Sequence, residues 1–171
     1  EFARRGGTLQ MVQLWVNLPR AEKLGTPRYQ EIHAEAIPVV AGRGVKLRVI
    51  AGEHGGARGP ARTSTPLELF DLRLEAGAEW SAELPRGHTA AVVVLSGKAS
   101  VNGSRPFADA EMALLDLEGN RVRVAAEAET IALVLGGQPL GEAVIAPVVA
   151  FFKRDGALAL AGFILLYKLG D

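Results

Sequence analysis

Thr89-Ala90-Ala91-Val92-Val93-Val94-Leu95 is followed at once by Ser96-Gly97, Lys98-Ala99-Ser100-Val101 and Asn102-Gly103. This stretch decides the fold. Its first run is apolar without a break after the threonine and rich in β-branched valine, the composition of a strand covered on both faces. Ser96-Gly97 turns the chain and Lys98–Val101 returns it. Asn102-Gly103 is the strongest local hairpin signal of the chain and predicts a type I′ turn.

The same grammar extends outward in both directions. Toward the N-terminus lie Leu67–Leu74 and Val45–Ala51, separated by a Gly-rich loop over His54–Pro60. In Leu67–Leu74 the apolar residues fall at 67 and 69, then at 70, 72 and 74. That slip of phase predicts a bulge or burial on two sides. Toward the C-terminus come Met112–Leu117, Arg121–Ala125 and Thr130–Leu135, with Glu118-Gly119-Asn120 turning a second hairpin. Short apolar runs punctuated at intervals of roughly 8–12 residues predict an all-β, antiparallel sandwich or barrel. Helical spacing is absent between residues 45 and 137. The predicted core includes Val49, Leu72, Val92, Val94, Leu114, Val124 and Leu133.

Outside this block, Val12–Leu18 reads as a strand ended by Pro19, and Ala21–Tyr29 as a polar connection with Gly25 and Pro27. Glu31–Val40 reads as extended, with Pro38 permitted only at an edge. The tail is apolar over Ala157–Tyr167. Eleven residues make about 16 Å of helix, whereas a membrane core needs about 30 Å, so the expectation is a short C-terminal helix and no membrane span. The 171 residues suffice for one domain with a sizeable core, or one domain plus part of another. A formal net charge of zero offers no electrostatic attraction to nucleic acid or an anionic membrane. With no cysteine, neither a disulfide nor a thiolate metal site can form. The start, with Glu1, Arg4 and Arg5, is no signal peptide, and the expected compartment is cytoplasmic.

The histidines are His33, His54 and His88. His33 flanks an edge segment and reads as solvent-exposed. His54 reads as a surface or structural residue of a loop, and His88, after Pro85-Arg86-Gly87, as the entry to a buried strand. For both, a pocket role is the alternative. Arg58 and Arg62 could meet an anion by charge, but no Lys-Ser/Thr and no helix follow the glycines, so a phosphate loop is not expected. Glu127 and Glu129 read as a solvated turn, and Trp15 and Trp80 as packing residues.

Three motifs carry a family resemblance. Phe2-Ala3-Arg4-Arg5-Gly6-Gly7 leads into Gln13-Leu14-Trp15-Val16-Asn17-Leu18-Pro19; Pro27-Arg28-Tyr29-Gln30 follows; Gly136-Gly137-Gln138-Pro139-Leu140-Gly141-Glu142 closes the match. Together they resemble the pirin family of two-cupin proteins, from about Phe2 to Glu142, after which the likeness fades. The resemblance implies an antiparallel, jelly-roll-like cupin barrel over 42–142. It implies a remnant strand of a first cupin with a linker over 1–41, and leaves 143–171 as a divergent apolar tail. It also implies that the family's iron ligands, a His-x-His … His-x-Glu set, belong to an N-terminal cupin absent from this chain. Glu1 lies close to the family's ligand Glu, but one carboxylate without its His partners does not hold iron. A metal-binding cupin strand would place two His one residue apart near Gly77–Pro85, where this chain has Trp80 and Ala82.

On this reading the chain has no catalytic, cofactor-binding or metal-ligating residue of its own, and no cofactor. It is the structural or interaction half of a bicupin, inactive alone, whose partner is the N-terminal cupin or another copy of itself. The alternatives implied by the family are a piece of a metal-dependent quercetin 2,3-dioxygenase-like protein, and an interaction domain akin to a transcription cofactor. Val12–Leu18, deprived of a barrel to pack on, is expected to leave Trp15, Val16 and Leu18 in water and its backbone edges unpaired, and so to drive self-association.

Overall fold

The structure, a computed structural model, describes Gly6 and residues 10–142 and 162–169, with side chains over 11–142. The described residues form two compact units. One spans Tyr29–Pro139, and the other comprises the described residues before and after it.

The larger unit is two antiparallel sheets around one core. A six-stranded sheet contains β2 (Val39–Gly42), β3 (Val45–Ala51), β6 (Leu67–Leu74), β8 (Thr89–Ser96), β11 (Met112–Leu114) and β13 (Thr130–Gly137), in the order β11-β8-β13-β6-β3-β2. A four-stranded sheet contains β7 (Glu79–Glu83), β9 (Ala99–Val101), β10 (Pro106–Phe107) and β12 (Arg121–Ala126), in the order β10-β9-β12-β7. Among the described residues the strands do not hydrogen-bond into one closed ring. Leu47, Val49, Phe70, Leu72, Val92 and Val134 of the first sheet meet Trp80, Val101, Val122 and Val124 of the second in a single buried cluster. Each such side chain contributes about 1.5–3 kcal/mol on leaving water. This is the predicted all-β, antiparallel cupin fold.

The alternation of β7 and β12, apolar in and mostly charged out, shows a sheet with one solvated face. Their outer faces carry the ion pairs Arg123–Glu79 and Arg121–Glu83. The phase slip in β6 has the second of its two expected causes, burial on two sides; the bulge falls in β3 and not in β6. All of Glu68–Leu72 is buried, on the two faces alike. The β3 partner also bulges, since Phe70 pairs with Val49 and Leu69 with Ala51, leaving Ile50 as the extra residue. The outer face of this sheet carries Asp71, fully buried, with Arg48 at 3.7 Å and Arg73 at 3.4 Å.

Several local expectations change. β8 and β9 are not a hairpin, because β8 belongs to the six-stranded sheet and β9 to the four-stranded one. Nor do Met112–Leu117 and Arg121–Ala125 pair: β11 joins β8, while β12 joins β7 and β9. The turns exist, but they carry the chain from one sheet to the other. The Asn102-Gly103 turn does close a hairpin, β9 to β10, with φ of 49° and 73°. Leu114 is 70% exposed and leaves the predicted core, since the inward position of the short edge strand β11 is Ala113. The other predicted core residues are buried. The loop over His54–Pro60 contains a small hairpin, β4 (Glu53–His54) and β5 (Ala57–Arg58).

In the smaller unit, β1 (Gln10–Asn17) pairs antiparallel along its whole length with β14 (Gly162–Leu169). The expected C-terminal helix is therefore corrected over 162–167: Phe163-Ile164-Leu165-Leu166-Tyr167 is aromatic and β-branched enough to serve as a strand when an edge is offered. One edge of β1 is thus satisfied within the chain, contrary to expectation. Glu1 and the rest of the tail lie outside the described residues. No helix among the described residues is long and apolar enough to cross a membrane.

Candidate functional site

The polar residues that turn inward gather at one end of the larger unit, where β3 ends and β6 and β8 begin. β6 points Phe70, Leu72 and Leu74 into the core, and the period of two puts Glu68 on the same face. Glu68 pairs across the ladder with Gly136, which in turn pairs with Ala90 at the start of β8. His88, two residues before Ala90, brings its Nδ1 to 2.9 Å from Glu68 Oε2, with both side chains 10% exposed. A carboxylate only accepts, so Nδ1–H of His88 donates. Gly136 makes the meeting possible, because a Cβ there would lie 2.7 Å from Glu68 Oε2.

His54 is the second inward imidazole. The β4–β5 hairpin turns through Gly55 and Gly56, with φ of 56° and 77°, as a primed two-residue turn demands. It is anchored where Gly59 N–H donates to the Gly52 carbonyl at 2.9 Å and Ala61 N–H to the Ile50 carbonyl at 3.0 Å. The His54 ring lies 5.4 Å from the Trp80 ring and 5.7 Å from that of Phe70. Trp80 Nε1–H donates to His54 Nε2 over 3.4 Å. Withdrawal from water pushes the His54 pKa down.

The remaining candidates stay apart. His33 is exposed, as expected, at the cap of a 3-10 turn. Arg58 is exposed, and the backbone of Arg62 is held on both sides by the Gln30 amide at 3.0 Å. Glu127 and Glu129 lie on the solvated turn expected of them, Glu127 with Lys98 at 2.8 Å. Trp80 packs in the core, whereas Trp15 is 47% exposed. Sequence reasoning missed Glu68. Its signal was a lone carboxylate at an inward position facing a glycine, hidden by the phase slip beside it.

Iron held by a cupin needs several imidazoles and a carboxylate converging on one point. The inward positions of β7 are Trp80 and Ala82, and those of β8 include Ala90 and Val92. Nδ1 of His88 is engaged by Glu68 and Nε2 of His54 by Trp80. No three His, Cys, Asp or Glu residues converge among the described residues. These residues do not fit an iron centre.

Residues 69–150 match the family described as the pirin C-terminal cupin domain. A Pseudomonas aeruginosa protein whose name assigns it provisionally to the quercetin 2,3-dioxygenases is 47% identical over 146 residues, 84% of this chain and 51% of its own length. Human pirin is 34% identical over 139 residues, 78% of this chain and 48% of its own. A crystal structure of quercetin 2,3-dioxygenase from Acinetobacter baumannii superposes with a TM-score of 0.72 at 43% identity, over 75% of this chain and 45% of that one. The chain spans about half the length of the curated relatives it matches.

Proposed function

Since this chain carries the C-terminal cupin domain of the pirin family, we propose that it is the non-catalytic half of a two-cupin protein, serving as a structural and interaction domain. One observation carries this reading. The inward polar groups satisfy one another, Glu68 with His88 and Trp80 with His54, rather than leaving donors aimed at a shared point. In this reading the chain has no cofactor of its own. Its natural partner is a metal-holding N-terminal cupin, from the same polypeptide or another.

Elemental analysis after iron loading, with quercetin turnover measured on the same sample, tests the proposal. The expected result is no stoichiometric metal and no ring cleavage above buffer. Near one metal per chain, lost on His54→Ala or His88→Ala, would overturn it. Co-purification with the N-terminal half of the Pseudomonas relative tests the structural role, and failure to associate at any concentration counts against it.

The names of the bacterial relatives favour a second reading for the whole protein, a quercetin 2,3-dioxygenase-like enzyme. In that case the chemistry belongs to residues beyond those described, and only the two halves together turn over the flavonol.

A further inference from the structure

We propose that the β4–β5 hairpin is an acid-released cap on the Phe70–Trp80 end of the core, held shut by a neutral His54 ring. Indole Nε1–H is a donor only. The hydrogen bond from Trp80 therefore requires a lone pair on His54 Nε2. In the closed hairpin the one proton of the neutral ring sits on Nδ1. A second proton would have to go on Nε2, where it would face the indole N–H and break the bond. It would also charge a ring partly withdrawn from water beside Phe70 and Trp80.

Burial is the one cause of the lowered His54 pKa, with no charged partner beside the ring among the described residues. The hairpin's own ionisable residues, Glu53 and Arg58, are exposed. On the inward face of β6 the ionisable residue nearest in sequence to Phe70 is Glu68, already bound to His88. β7 turns Glu79 and Glu83 to its solvated face, and turns Trp80 and Ala82 inward. β2 meets the turn with Val40, beside Gly55. The ladder of the hairpin itself is only two residues a side, and its base is tied by the Gly59–Gly52 and Ala61–Ile50 backbone hydrogen bonds.

The direction follows from linkage. Open, the ring meets water and titrates near 6.5; closed, burial lowers that value. The open form thus binds the proton more tightly. Closure is fully favourable above about pH 6.5 and weakens about tenfold for each pH unit below it, until the closed form's own value is passed.

Nuclear magnetic resonance on the full chain tests the cap. The neutral His54 ring should show protonated Nδ1 and bare Nε2, and an Nε2–H tautomer would overturn the proposal. The exchange protection of the Gly59 amide, corrected for intrinsic pH dependence, should fall between pH 7 and pH 5, by about 25-fold where the closed form stays neutral throughout that range and by less where it does not. Amides between β6 and β13 should hold theirs. His54→Gln should abolish the dependence on pH, and His88→Gln should preserve it. Constant protection in the unaltered chain, or loss of the dependence in His88→Gln, refutes the assignment. If His54→Gln fails to fold, the tautomer and the His88→Gln arm still decide.

Discussion

At Gly136 the absence of one methyl group sets how closely Glu68 meets His88. Gly136→Val would drive a side chain into the Glu68 carboxylate and leave two buried polar groups without each other. Destabilisation of about 1–3 kcal/mol is expected, read from urea denaturation midpoints. Glu68→Leu and His88→Leu should each destabilise, while the double variant should lose less than the sum, because no buried group is then left unpaired. Leu114 and Val92 make the complementary contrast. Both are apolar residues in strands, but Val92 is fully buried and Leu114 is 70% exposed. Val92→Asp should unfold the domain, at a cost of several kcal/mol. Leu114→Ser should stay within about 0.5 kcal/mol. Circular dichroism melts of the two variants check both.

At the scale of elements, the connections carry the fold. The turn after β8 takes the chain from the six-stranded to the four-stranded sheet, and it does so against the start of β13. Gly97 there has φ of 92°, and a Cβ would fall 2.0 Å from the Glu129 carbonyl oxygen. Thr130 locks the same corner, its Oγ1 accepting from Lys98 N–H at 3.1 Å. The turn before β12 uses Gly119 at φ of 94°, but nothing lies within 4 Å of where its Cβ would be. Gly119→Ala should therefore show backbone strain alone, about 1–2 kcal/mol. Gly97→Ala should cost measurably more, since backbone cannot move aside as a side chain can. Chemical denaturation of the pair separates strain from collision; equal losses would mean that the corner relaxes.

For the whole molecule, the pairing of β1 with β14 changes the expected route to self-association without removing it. The strand's backbone has a partner in its own chain, yet Met11 and Trp15 remain about half exposed. Analytical ultracentrifugation at tens of micromolar should show reversible oligomers that Met11→Ser with Trp15→Ser dissociates; oligomers unchanged in that variant would place the contact elsewhere. What the sequence by itself determined was the kind of structure. Val92 and Val94 within an unbroken apolar run, and Asn102-Gly103 at a primed turn, are local facts, and local sterics and alternation are enough to read strands, turns and an all-β antiparallel domain. The Trp15, Tyr29 and Gln138-Pro139 motifs carried the family resemblance, which is a likeness of sequence and not a reading of sterics. Which sheet each strand joins was left to tertiary structure. Ser96-Gly97 and Glu118-Gly119-Asn120 look like hairpin turns, but a hairpin and a crossover between facing sheets need similar turn residues. Only the burial of both sheets' inner faces against each other chooses between them. The same global choice exposed Leu114 on an edge strand. It turned His54 onto Trp80 and brought Glu68 to His88 across twenty residues of chain, contacts that no local signal records because the partners are far apart in sequence.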